Sequence, residues 1–203
     1  MKIGKNTRAG KYTVIDNDVV LGDDVKIGDF CKLHSGTRIG NNVKFDDYCN
    51  TSETVLIGND VHIKRMSCIT QGTVIEDKVF IGPGIMIIHE KNVSFQRNVK
   101  KISRGVHIKS GAIIGGSVTL VSGITIGKDV IVGAGAVVVK DCEEGGIYLG
   151  CPAVRVGEVP LEDRIGIDCN LNFTDDIVEK YLSEMESTGK LLVNKRFDKD
   201  EVA

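Results

Sequence analysis

The 203-residue chain has no tryptophan, three prolines and few other aromatic residues. That shortage points away from a β-sandwich or a helical bundle, whose cores are filled by large side chains, and toward a backbone that turns often. Charge of one sign is also missing. With a formal net charge of −2, the chain has no electrostatic reason to take nucleic acid or an anionic membrane as its main partner. No run is long and apolar enough to span a bilayer, and the opening "MKIGKNTRAG" lacks the apolar core of a signal peptide, so a cytoplasmic location is expected. The six cysteines (Cys31, Cys49, Cys68, Cys142, Cys151 and Cys169) have no C-x-x-C spacing and read as free thiols of a reducing compartment.

What the chain has is glycine, 24 residues of it, and a six-residue clock. Stepping by six from Ile3 gives Ala9, Ile15, Leu21, Ile27, Leu33, Ile39, Phe45, Thr51 and Ile57, then an unbroken aliphatic series from Ile63 to Val93. Two residues before each station stands a smaller or β-branched residue, among them Val19, Val25, Cys31, Thr37, Val43 and Cys49, and glycine often follows the station. Neither a helix nor plain strand alternation keeps such a period, so it is an internal repeat. A hexapeptide with two inward side chains and a glycine-permitted corner makes one short parallel strand and a turn. Three of them close a triangular coil of about 18 residues. Coils stack at the strand spacing, which places Cys31, Cys49, Ser67 and Ile85 in one vertical column inside the prism.

Past Val93 the clock fails, and it resumes three residues out of phase at Ile108, Ile114, Leu120, Ile126, Val132 and Val138. A slip of three cannot be absorbed inside a closed coil. The chain therefore leaves the prism in a loop over about 88–106, a favoured place for function. The stretch 121–141 reads as the last coil, followed by a closing segment with Gly145, Gly146, Gly150 and Pro152. These make a domain over 1–157 and an extension over 158–203. The extension contains "TDDIVEKYLSEMESTGK", whose cap at Thr174, apolar face and stop at Gly189 predict one α-helix over about 174–188.

This pattern resembles the hexapeptide-repeat acyltransferases, an all-β family of left-handed parallel β-helices that work as homotrimers. The resemblance covers 1–157. The end segment "VGAGAVVVKD" followed by "LGCPAVRVG" is similar to the family's G-A-G-S-V-V-x-K-D and G-N-P-A, with Cys151 where asparagine is common. Within the family, "GTVIEDKVFIGPGIMIIHEKN" looks like enzymes that N-acetylate amino sugars carried on a nucleotide diphosphate, though those often have asparagine in place of His89. The resemblance implies acetyl-CoA as co-substrate, no metal, a nucleotide-linked amino sugar as acceptor, and active sites between subunits.

Acetyl transfer needs a thioester in line with a nucleophile, donors for the oxyanion and a destination for the proton. His89, where the loop begins, is the candidate base, and Glu90 either orients its ring or contacts substrate. A binding role for His89 without proton transfer stays open, because a deprotonated amine attacks unaided. Gly115, Gly116, Gly133, Ala134 and Ala136 resemble the family's groove for the pantetheine arm, with Pro152 beside them, and Lys140 and Arg155 are placed to meet the coenzyme phosphates. An N–H of Gly115 or Gly116 is the expected oxyanion donor. Arg65 and Gln71 align with sugar-facing positions of the resembling enzymes. Arg97, with Lys100, Lys101 and Arg104, offers charge for a pyrophosphate. His34, His62 and His107 read as surface packing, and their wide spacing speaks against a zinc hydratase. Two rivals remain: an O-acetyltransferase acting on a sugar, serine or antibiotic hydroxyl, and a structural β-helix without catalysis.

Overall fold

In a computed structural model, which describes residues 1–92, 96, 103–166, 180 and 183, the chain is a left-handed parallel β-solenoid. Strands of two residues run from Lys2–Ile3 to Val137–Val138 and form three parallel sheets, the faces of a triangular prism. Lys2 pairs with Val20 and Ile3 with Leu21, so one coil takes 18 residues. Each strand donates to and accepts from the coils before and after it, which satisfies the backbone without long strands.

Both inward positions of each hexapeptide are buried from Val19 to Val138, and the column Cys31, Cys49, Ser67, Ile85 is fully inside. Ile3 remains half-exposed because no coil lies beneath it. The five cysteines among the described residues are free, and Cys169 lies outside those residues.

The glycines do not act as expected. The left-handed corner falls three residues after each station, at Asn6, Asp24, Asn42 and Asp60 on one edge and at Tyr12, Phe30, Tyr48 and Met66 on another. The glycine directly after the station serves close stacking instead: a Cβ on Gly115 would lie 2.5 Å from the Ala134 nitrogen of the next coil, and one on Gly82 would lie 2.5 Å from the nitrogen of Gly116.

The phase slip is an insertion. Val74 pairs with His107, 33 residues on instead of 18, so the chain departs after Met86–Ile87 and returns at His107–Ile108. The last coil is also not the end of the sheet. Gly146–Gly150 adds to the second sheet in parallel with Ile131–Val132, then turns through a cis Cys151–Pro152 bond into the antiparallel Ala153–Glu158. Beyond this hairpin the backbone N–H groups of Ile165 and Gly166 donate to Asp129, at 2.9 and 2.7 Å. This draws the extension along the edge between the first and second sheets. Of the helix expected over 174–188, Lys180 and Ser183 have helical backbone and the rest lies outside the described residues.

Candidate functional site

Three edges separate the three sheets, and each is finished differently. Along the edge between the first and second sheets, asparagine and aspartate side chains cap the coil below. The N–H of Asp23 donates to Asn41, that of Asn41 to Asn59 and that of Asn59 to Asp77, at 2.8, 2.8 and 2.6 Å.

The edge between the third and first sheets carries the insertion. Gln71, His89, Ser122 and Lys140 share one corner position here, two residues after their stations at Ile69, Ile87, Leu120 and Val138. The chain leaves at His89 and is gathered back at once. Arg104 N–H donates to the His89 carbonyl at 3.1 Å and to Ser122 Oγ at 3.1 Å, Ser122 Oγ donates to the Arg104 carbonyl, and Glu90 bridges Ser103 in antiparallel fashion. His89 and Glu90 are half-buried at the foot of the loop. Burial lowers the pKa of Arg104 from its ordinary value. Arg97, Lys100 and Lys101 lie outside the described residues.

The edge between the second and third sheets holds most of the residues expected to meet the coenzyme. Arg65, Pro83, Gly116 and Ala134 stack there, tied by Gly84 N–H to Arg65 O, Ser117 N–H to Pro83 O and Gly135 N–H to Gly116 O. No asparagine or aspartate stands in this column beyond Asp47, so the caps stop. Gly116 N–H has no acceptor among the described residues. The result is a strip of small residues with open backbone, suited to a linear diamide.

Two expectations need correction. Gly115 N–H is spent on Val132 O at 2.7 Å, a ladder bond, so it cannot also serve an oxyanion. Ala136 is an inward position two residues before Val138 and is fully buried, so its side chain packs the core and lines no groove. The Arg155 guanidinium pairs with the exposed carboxylates of Glu143 at 2.7 Å and Glu158 at 3.2 Å, with which a coenzyme phosphate would compete. Within one chain His89, Gln71 and Lys140 are not brought to Gly116, Gly133, Ala134 and Arg65, because the two sets occupy different prism edges. Pro152 is exposed at the hairpin tip.

Comparisons with known proteins fit this architecture. Residues 1–35 match the family model described as bacterial transferase hexapeptide (six repeats). No curated protein matches. Among solved structures, the polySia-specific acetyltransferase NeuO is 15% identical with a TM-score of 0.59, the match covering 91% of this chain and 93% of that one. A Bacillus cereus N-acyltransferase, AntD, solved with dTDP and coenzyme A, is 18% identical over 92% of this chain and 91% of its own, with a TM-score of 0.47. A hexapeptide-repeat acetyltransferase from Vibrio cholerae is 22% identical over 77% and 75%, with a TM-score of 0.39. The likeness is one of fold.

Two clusters escaped the sequence reading. His107 is no simple packing residue. Its Nε2 lies 2.8 Å from Glu76 Oε1, while Ser110 donates both its N–H and its hydroxyl to Glu76 Oε2 at 2.9 Å. Burial would raise the Glu76 pKa, but the bonds from His107 and Ser110 outweigh it and hold the carboxyl below its ordinary value. The clamp fixes the first coil after the insertion to the last coil before it. Likewise Asp46 receives Lys64 at 2.5 Å and His62 at 3.3 Å; burial opposes, yet these partners lower its pKa. The partners are 31 and 34 residues apart at Glu76 and so invisible to any local pattern. Among the described residues no three His, Cys, Asp or Glu side chains converge as metal ligands, and no helix is long and apolar enough to cross a membrane.

Proposed function

We propose that the protein is an acetyl-CoA-dependent N-acetyltransferase acting on the amino group of a nucleotide-linked amino sugar, working as a homotrimer. The observation that carries this reading is the division of the site between two edges. An imidazole and a carboxylate stand at the root of a loop on one edge, and an uncapped strip of small residues lies on the other. Each half is incomplete alone, and a neighbouring prism that turns its small-residue edge toward His89 completes the constellation.

In that arrangement the pantetheine arm lies along Gly116, Gly133 and Ala134. Gly116 N–H meets the developing oxyanion, which relieves Gly115 of that role. The amine attacks the thioester carbonyl, His89 takes the amine proton, and the coenzyme thiolate leaves as the amide forms. Glu90 orients the imidazole, Lys140 answers negative charge near it, and Gln71 and Arg65 contact the nucleotide sugar. A base in this position contributes roughly 10²- to 10⁴-fold.

The test is thiol release from acetyl-CoA with nucleotide-linked 3-amino and 4-amino sugars, beside serine and simple sugars as hydroxyl acceptors. The expected result is turnover of an amino sugar alone. His89→Ala should lose about 10²-fold or more in kcat at neutral pH and recover part of it at alkaline pH, where the amine is already deprotonated. Turnover of a hydroxyl acceptor only would move the reaction to O-acetylation, and absence of coenzyme A binding would end the enzyme reading.

A further inference from the structure

The outer face of the second sheet changes character along the prism. In its outward column Arg8, Lys26 and Lys44 are in direct register, each over the next, and are followed by His62, Phe80 and Ile113. Three cations thus stand one coil apart, roughly 4.8 Å, well within a Debye length. Like charges in cross-strand register oppose folding. Arg8 and Lys26 have no ion-pair partner among the described residues, and Lys44 reaches Asp46 only at 4.0 Å. Nothing in the packing calls for this column.

The column is one wall of a groove. Gly28, Asp46, Asp47, Lys64 and Arg65 line it as well. Five cationic residues line it against two carboxylates, and one of the five, Lys64, is paired with Asp46. Both carboxylates are already engaged, Asp46 by Lys64 and His62, and Asp47 by the N–H of Asp29 at 2.9 Å. Beside the groove, directly after Asp47 in the chain and on the same prism edge, runs a ladder of exposed aromatic rings. Tyr12, Phe30 and Tyr48 stack with centroids 5.0 Å apart, and all three occupy the left-handed corner.

We propose that this groove is a docking surface for a linear acidic polysaccharide, which runs down the prism from Arg65 at the margin of the acetyl-transfer site. The charge pattern is repeated once per coil over several coils, so a single diphosphate would leave most of it unused. A polymer with one carboxylate on each sugar repeats at nearly the pitch of the ladder. The aromatic ladder beside the groove bears on the choice between acidic polymers. Single-stranded nucleic acid would need open ring faces for its bases. Here the Phe30 ring lies within 19° of Tyr12 and 1° of Tyr48, so both its faces are taken. The hydroxyls of the exposed Tyr12 and Tyr48 can exchange hydrogen bonds with the O–H groups of a sugar chain.

Fluorescence anisotropy with labelled hexagalacturonate, oligo(dT) of the same charge and uncharged maltohexaose tests this on the full-length protein, without acetyl-CoA or turnover. Its outcome is therefore independent of the proposed reaction. The hexagalacturonate should bind and weaken as salt rises, while maltohexaose does not bind. The double variant Lys26→Gln, Lys44→Gln should weaken binding about tenfold and keep the mass and melting temperature of the parent. Equal or tighter binding of oligo(dT) would reassign the groove to nucleic acid. A double variant that falls apart into smaller species would make the face a contact between copies. No binding of the hexagalacturonate, or no effect of the two substitutions on it, would end the proposal.

Discussion

The edge between the second and third sheets is built twice, once below Arg65 and once above it, on the same backbone. Below, Asp29 and Asp47 cap the N–H groups of Lys11 and Asp29 at 2.7 and 2.9 Å, and a rung of aromatics covers each left-handed corner. Above, Pro83, Gly116 and Ala134 replace the carboxylates, and Gly84, Ser117 and Gly135 replace the rings. The strands are in identical register throughout, so the difference owes nothing to the fold. A repeat satisfies its backbone once per coil, and the side chains at the corners decide whether that backbone is sealed or left for a ligand. The edge between the first and second sheets never opens: its Asn/Asp ladder gives way to Glu76, and then to the returning extension at Ile165 and Gly166.

The lower coils spread their polar satisfaction over many exposed rungs, whereas the coil after the insertion depends on one buried carboxylate. Removing that carboxylate should be the costliest change. In Glu76→Ala the hydroxyl and N–H of Ser110 lose their acceptor and His107 its partner; each buried Ser110 donor left unsatisfied costs about 1–3 kcal/mol. Removing a rung with Asn41→Ala exposes one N–H to water and should cost about 0.5–1 kcal/mol. Chemical denaturation of both variants measures the contrast, and equal losses would break it. The pH dependence has a definite sign. The Glu76 pKa is lower folded than unfolded, so its contribution is complete above the ordinary value of 4.5 and disappears as pH falls through the lowered value. The difference between parent and Glu76→Ala should therefore shrink in acid.

The open strip can be probed through its two kinds of glycine. Gly115→Ala forces a Cβ to 2.5 Å from the Ala134 nitrogen and 2.8 Å from the Gly133 carbonyl carbon, which are backbone atoms held by ladder bonds. A loss near the upper end of overpacking, about 3 kcal/mol, is expected. Gly135→Ala meets nothing within 4 Å but keeps φ at +72°, and should lose only about 1 kcal/mol. The order of the two melting temperatures separates crowding from corner strain. The reverse order would restore the glycine-corner reading of the sequence.

The inward residues were legible because burial imposes its period directly on side-chain type. Among the described residues every station from Leu21 to Val138 fell inside, and the slip of three residues announced the insertion. The corner was misplaced because glycine signals two different needs, a left-handed φ and a close approach, and here only the second attaches to the residue after the station. Asn6, Asp24, Asn42 and Asp60, recurring once per coil, were the better mark of the corner. Ala136 went wrong for a related reason. A family groove specifies which residues are near a ligand, but the inward turn of an alanine does not show in a motif.

The smallest expected effect concerns the aromatic corners themselves. A bulky residue in the left-handed region is disfavoured by roughly 1–2 kcal/mol, and Phe30 stays there with φ at +56°. Its two stacked contacts contribute about 0.5–1.5 kcal/mol each, the same size with opposite sign. Phe30→Gly removes the strain and the stacking together, so its stability should stay within about 1 kcal/mol of the parent. Phe30→Ala removes the stacking and keeps the strain, and should be the less stable of the two. If alanine proves as stable as glycine, the corner is unstrained and the ring ladder is free to serve the surface alone. If glycine exceeds the parent, the rings are held there against the stability of the fold, as expected of side chains kept for what they touch outside it.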